Sequence, residues 1–114
     1  MLGAAGGVGT TAIELVKLMG ARAMAAASAA EKLELCKQMG AEKGINDTQE
    51  SRKDSGKELT GGKGVDVCYA AVGGVFFEPA VRSMAWIGRY LVIGFASGPI
   101  PQIPLNLTLL KGCS

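Results

Sequence analysis

Seven residues near the start, Gly3-Ala4-Ala5-Gly6-Gly7-Val8-Gly9, constrain the chain more than any others. They follow Met1-Leu2, which reads as the tail of a strand. They precede a segment from Thr10 to Met19 in which Ile13, Val16 and Met19 recur at helical spacing, with Glu14 and Lys17 between them. A strand that runs into a glycine-rich turn and then an amphipathic helix opens a βαβ unit. Gly20 supplies the helix stop at the C′ position.

The alternation continues along the chain. Arg22 to Ala27 reads as a short strand, although it is rich in alanine and weak in β propensity. Ser28-Ala29-Ala30-Glu31 has the spacing of a capping box and opens a second helix carrying Leu33, Cys36 and Met39 inward, closed by Gly40. Lys43 to Asn46 is the third strand. Gln49 to Leu59 carries almost no large apolar residue and reads as a short exposed helix or a loop. Gly61-Gly62-Lys63-Gly64 turns into the buried-type strand Val65 to Tyr69. Val75 to Met84 is expected as a helix, Arg89 to Ile93 as the fifth strand, and Leu105 to Leu110 as the start of a final short helix. This order predicts an α/β fold, a Rossmann-type doubly wound parallel sheet with helices on both faces.

Two positions point to chemistry. Glycines at a strand-to-helix turn let backbone N–H groups approach a pyrophosphate at the helix N-terminus. In the G-x-G-x-x-G frame the chain offers Ala4-Ala5-Gly6-Gly7-Val8-Gly9, with Ala in the first position. Gly6 would allow close phosphate approach, and Gly9 would let the helix pack tightly on the strand. The same glycines also suit a plain βα turn with no ligand. The second position is the end of the second strand, where NAD-specific sites place an acid for the ribose hydroxyls. Here the run is Ala25-Ala26-Ala27-Ser28, with Lys32 one turn into the next helix. A small hydroxyl and an ammonium suit a 2′-phosphate that a carboxylate would repel, which favours NADP(H) over NAD(H). The competing reading makes Ser28 a helix cap and Lys32 a solvated surface lysine.

Composition narrows the classes further. A net charge of +2 from interspersed charges, with 5% aromatic residues, offers neither the basic block nor the stacking platform of a nucleic-acid binder. No apolar run approaches the ~20 residues of a membrane span. Three scattered cysteines, Cys36, Cys68 and Cys113, suggest thiols in a reducing compartment, with the cytoplasm as the default expectation and an organelle left open. With no histidine, a histidine-based zinc site is excluded within this chain. The N-x-T triplets at Asn46 and Asn106 carry no weight without a secretory leader.

Taken in order, these segments resemble the zinc-free quinone oxidoreductase branch of the medium-chain dehydrogenase/reductase superfamily. The matching runs are Gly3 to Gly9, Glu31 to Leu35, Met39-Gly40-Ala41, Glu58 to Val67, Gly94 to Gly98, and Ile103 to Lys111, so the resemblance covers nearly the whole chain. It implies one NADP(H)-binding domain over residues 1–114, with the family's GroES-like catalytic domain absent. By resemblance, Gly6, Gly7, Val8 and Gly9 contact the pyrophosphate. Ser28 and Lys32 match the adenosine-phosphate site, and Asn46 matches the Asn of an Asn-Tyr pair. Val72, Gly73, Phe95 and Ala96 match segments lining the ribose and nicotinamide pocket. The family transfers hydride from NADPH to quinones or α,β-unsaturated carbonyl compounds without metal.

Some residues depart from the pattern. Asp47 stands where the family commonly has Tyr, and Ala70-Ala71 replaces a common Asp-Pro. Tyr69 and Lys111 are ionisable, but nothing places either beside a substrate, so no catalytic residue is assigned. Three other roles remain open: an enoyl-reductase module of a multifunctional synthase, a non-enzymatic dinucleotide sensor or interaction module, and a degenerate remnant. In the 3-2-1-4-5-6 strand order the first strand is central, and most of it is missing here, as is the sixth. Unpaired edges of that kind favour association. The isolated chain is therefore expected to be unstable, homo-oligomeric, or part of a longer polypeptide; sharp, reversible melting as a monomer in calorimetry would overturn that expectation.

Overall fold

The structure is a computed structural model that describes residues 1–4, 6–46, 59–96, 98 and 100–114, and of Val75 the backbone alone. The expectations for Ala5, for Asp47 and for most of the Gln49 to Leu59 segment lie outside the described residues. Helices and parallel strands alternate, which makes the chain α/β. Residue contacts group it into two units, Met1–Glu50 and Ser51–Ser114, each with its own parallel strand pair.

In the first unit, helix α1 spans Gly7–Leu18, strand β1 Met24–Ala27, helix α2 Ala30–Met39 and strand β2 Lys43–Asn46. β1 and β2 run parallel, with Met24 opposite Lys43 and Ala27 opposite Asn46. The opening residues add a third line beside β1. Leu2 forms a parallel bridge with Ala26, the Ala26 N–H donates to Met1 O at 2.8 Å, and the Ala4 N–H donates to Ala26 O at 3.3 Å. The core is Ala4, Ile13, Ala23, Ala25, Cys36 and Ala41, with Met1, Val16, Leu33 and Met39 packed on it. Cys36 and its neighbours Leu33 and Met39 thus face inward, as the helical spacing predicts. Gly40 ends α2 with φ +122°, a conformation that side chains rarely adopt.

Three boundaries differ from the sequence reading. α1 begins at Gly7 rather than Thr10, because the glycines are helical and form its first turn. β1 begins at Met24 rather than Arg22. The capping box does not form: Ala29 is the N-cap of α2, extended at φ −144° and ψ 148°, with no side-chain cap. The helix starts one residue later than the spacing assumed, so the Ser28 hydroxyl lies too early to reach the first-turn N–H groups.

In the second unit, strand β3 spans Val65–Ala70, a 3-10 turn covers Gly74–Phe76, helix α3 is Phe77–Arg82, strand β4 is Met84–Val92 and helix α4 is Leu105–Lys111. The expected helix from Val75 to Met84 is therefore shorter, and the expected strand from Arg89 begins five residues earlier. The buried Ser83 hydroxyl donates to Ala80 O at 2.6 Å and ends α3, and Met84 enters the strand fully buried. β4 pairs parallel with β3 but bulges, since Val65 faces Met84 while Val67 already faces Arg89. Inside that bulge Ile87 has φ +66°, a left-handed conformation costing a β-branched residue roughly 1–2 kcal/mol. Phe77 and Tyr90 meet edge to face, with ring centroids 4.9 Å apart.

All three cysteines are free, Cys36 and Cys68 buried and Cys113 half-buried. Burial pushes the Cys36 thiol above its ordinary value. Its neutral form contributes stability in full below the unfolded thiol value, and that stability is lost as pH rises through the folded value. With iodoacetamide at mildly alkaline pH, mass spectrometry should find Cys113 alkylated first and Cys36 only as the chain unfolds. Equal rates at Cys36 and Cys113 would contradict the burial.

Candidate functional site

In the first unit the opening segment, β1 and β2 run in one direction, so their carboxyl ends lie along one edge, where ligands of open α/β sheets bind. Three groups of expected site residues emerge there. The first is the Gly6–Gly9 turn that opens α1. Gly6 is its N-cap, with φ −73° and ψ 169°, and has no side chain with which to cap. The Thr10 N–H donates to Gly6 O at 2.9 Å, so the N–H groups of Gly7, Val8 and Gly9 precede the first helical hydrogen bond. From behind, the Thr10 hydroxyl donates to Gly6 O at 3.1 Å and the Thr11 hydroxyl to Gly7 O at 2.9 Å. No acid occupies the first turn, so an anion there meets the positive end of the helix dipole unopposed by a first-turn carboxylate.

The glycines divide by what their surroundings demand. A Cβ on Gly9 would lie 2.6 Å from Ala4 O and 2.7 Å from Ala4 Cα, so only glycine lets α1 sit this close to the preceding backbone. A Cβ on Gly6 would meet only Gly3 O at 3.7 Å, and one on Gly7 nothing within 4 Å. Neither Gly6 nor Gly7 has a positive φ. The fold requires Gly9, whereas the space over Gly6 and Gly7 stays open to solvent.

The second group is Ser28 and Lys32. The Lys32 ammonium donates to the Ser28 hydroxyl at 3.4 Å, with both residues exposed just beyond the end of β1. Glu31 is the acid of the first turn of α2. The third is Asn46, buried at the last position of β2 and opposite Ala27.

The remaining expected residues belong to the second unit, again at carboxyl ends. Ile93 N–H and Gly94 N–H donate to Ala70 O at 2.8 and 3.3 Å, and Ala96 N–H donates to Ala71 O at 2.9 Å. These bonds bring the Val72-Gly73 and Phe95-Ala96 segments together. Gly73 has φ +63°, and a Cβ there would lie 2.8 Å from Phe95 Cδ1. Beside them a pocket of about 110 Å³ is lined by Phe77, Tyr90, Val92, Ile100 and Ile103 among others. The sequence reading missed Tyr90; its alternation with Val92 on one face of β4 was the available signal. Among the described residues no group of three or more His, Cys, Asp or Glu could hold a metal ion, and no helix is long and apolar enough to cross a membrane.

Residues 7–114 match the family model described as zinc-binding dehydrogenase, and the chain belongs to that family. Within it the chain is a nucleotide-binding domain of the zinc-free quinone oxidoreductase type, with the Rossmann-type α/β fold. It is 45% identical over 112 residues to quinone oxidoreductase-like protein 2 of Rattus norvegicus, covering 97% of this chain and 32% of the relative. It is 38% identical over 109 residues to prostaglandin reductase-3 of Bos taurus, covering 95% of this chain and 28% of the relative. The crystal structure of Escherichia coli quinone oxidoreductase complexed with NADPH superposes with a TM-score of 0.90 at 31% identity, covering 99% of this chain and 36% of that one. The chain thus spans about a third of the length of these relatives.

The contrast between glycines is measurable in urea. Gly9→Ala should lose about 1–3 kcal/mol through overpacking against Ala4. Gly7→Ala should stay within about 1 kcal/mol of the parent, as substitutions at open surface positions do. Equal losses from the two would contradict the close approach at Gly9.

Proposed function

We propose that this chain is the NADP(H)-binding portion of a zinc-independent oxidoreductase that transfers hydride to quinones or α,β-unsaturated carbonyl compounds. The observation that carries the proposal is the open turn at Gly6 and Gly7. The fold needs neither glycine, yet both flank N–H groups at an uncapped helix start. Such a turn fits a pyrophosphate, with Gly6, Gly7, Val8 and Gly9 donating from the backbone. Ser28 and Lys32 would hold the adenosine 2′-phosphate, as hydroxyl and cation without a carboxylate at the strand end. Asn46 would position the adenosine side from the end of β2. Val72, Gly73, Phe95 and Ala96 would line the ribose and nicotinamide.

When bound, the nicotinamide supplies the hydride, and this chain's residues supply binding and orientation. Similarity to a structure holding NADPH supports the cofactor, and similarity to a quinone oxidoreductase-like protein and a prostaglandin reductase supports a quinone or carbonyl acceptor. The three unbridged thiols support a reducing compartment such as the cytoplasm.

Calorimetric titration with NADPH and with NADH tests the reading. NADPH should bind more tightly, Lys32→Ala should weaken it roughly tenfold (about 1.4 kcal/mol) with NADH little changed, and Gly6→Val should weaken both. No binding of either nucleotide by a folded chain would overturn the proposal, and a preference for NADH would overturn the roles of Ser28 and Lys32.

A further inference from the structure

Thr10 and Thr11 stand side by side in α1, and neither core packing nor helix propensity accounts for the pair. Both are β-branched, which costs side-chain freedom in a helix. Thr10 is half-buried and Thr11 exposed, whereas the buried positions of α1 are Gly9, Ala12 and Ile13. The two hydroxyls turn back along the chain instead. Thr10 Oγ1 donates to Gly6 O at 3.1 Å, with Gly7 O also within reach at 3.3 Å, and Thr11 Oγ1 donates to Gly7 O at 2.9 Å. Those carbonyls belong to the peptide units that carry the Gly7 and Val8 N–H groups. A peptide unit is planar and trans, so holding its C=O from inside the helix aims its N–H the opposite way, out of the helix start. A hydrogen bond accepted at the C=O also polarises the unit and strengthens its N–H as a donor. Packing does not confine these glycines, since a Cβ on Gly7 would meet nothing within 4 Å and one on Gly6 only Gly3 O at 3.7 Å. Glycine loses more conformational freedom on ordering than any other residue, and a ligand that had to order both would bind more weakly for it.

We infer that Thr10 and Thr11 are positioning residues, which act through the Gly6 and Gly7 carbonyls to hold the Gly7 and Val8 N–H groups ready for the pyrophosphate. The role rests on the cofactor reading above and extends it to two side chains outside the glycine turn. Because the pyrophosphate is common to both dinucleotides, the two hydroxyls raise affinity for NADPH and NADH alike, in contrast to Lys32.

The test compares the 114-residue chain with Thr10→Val/Thr11→Val, which keeps the branched shape and removes both hydroxyls, and with Thr10→Ser/Thr11→Ser, which keeps them. Calorimetry should find NADPH and NADH weakened by the same factor, roughly three- to tenfold, in the valine pair and restored in the serine pair. In the unliganded chains, backbone NMR relaxation should show the Gly7 and Val8 amides more mobile in the valine pair alone, with its urea midpoint close to the parent's. If the valine pair does not fold, Thr11→Val alone, at the exposed position, carries the same comparison. Unchanged affinity without the hydroxyls, an equal loss in the serine pair, or weakening confined to NADPH would overturn the positioning role and leave the cofactor reading intact. No binding of either nucleotide by the folded parent would overturn the cofactor reading, and the positioning role with it.

Discussion

Helix α1 lies so close to the opening segment that the Gly9 Cα approaches the Ala4 backbone with no room for a Cβ between them. Much of the first unit follows from that contact. It sets the start of α1 directly after the line of backbone paired with β1, so the first-turn N–H groups open at the carboxyl edge. It also brings Ile13, fully buried, over Ala4, Ala23 and Ala25. Burying an isoleucine side chain contributes about 1.5–3 kcal/mol, and it does so here only because the helix can descend to alanines. Position and stability of the turn thus share one cause.

Small residues govern the rest of that unit in the same way. β1 is Met-Ala-Ala-Ala, a poor strand by propensity, yet its three alanines are buried and hydrogen-bonded in register with β2. The strand forms because its neighbours pair with it and the core covers it, so tertiary context overrides local preference. On β2, a Cβ on Gly44 would lie 3.2 Å from Leu33 Cδ2, so α2 too packs against a residue without a side chain. Backbone pairing and close approach hold this layer together with few large side chains.

Those rules explain which features were legible in the sequence. The βαβ order, the inward face of α2, the stop at Gly40 and the bounds of β2 all depend on local pattern, and local pattern is what a sequence displays. The bounds of α3 and β4 were not legible, because Met84 suits the apolar face of a helix as well as the inside of a strand. The Ser83 hydroxyl bonding back to Ala80 and the pairing of Met84 with Val65 decide between them, and the second is a contact across nineteen residues. Within the bulge the left-handed turn falls on Ile87 rather than on the neighbouring Gly88, which residue preference would not announce. In the candidate site, the glycine turn and the Ser28–Lys32 pair were legible as residues. Which glycine serves packing and which leaves open space was not, since that depends on Ala4 backbone atoms that sequence spacing does not place.

The absence of a capping role for Ser28 strengthens the electrostatic case for an anion beside it. A serine bound to first-turn N–H groups would have its oxygen's acceptor capacity partly consumed by the helix. Because α2 starts after Ala29, that oxygen accepts instead from the Lys32 ammonium. At 3.4 Å the bond is long and solvent-exposed, so it tethers the ammonium near the strand end without neutralising it. A phosphate oxygen arriving there would exchange a weak neutral acceptor for a charged one, and charge-assisted hydrogen bonds are roughly twice as strong as neutral pairs. The adjoining Glu31 opposes this, but a first-turn acid is itself drawn toward the helix N-terminus, where the dipole offsets part of its charge. Under the proposed function, the balance at the end of β1 would favour a ligand that brings an additional negative group to Ser28 and Lys32 over one that presents only hydroxyls.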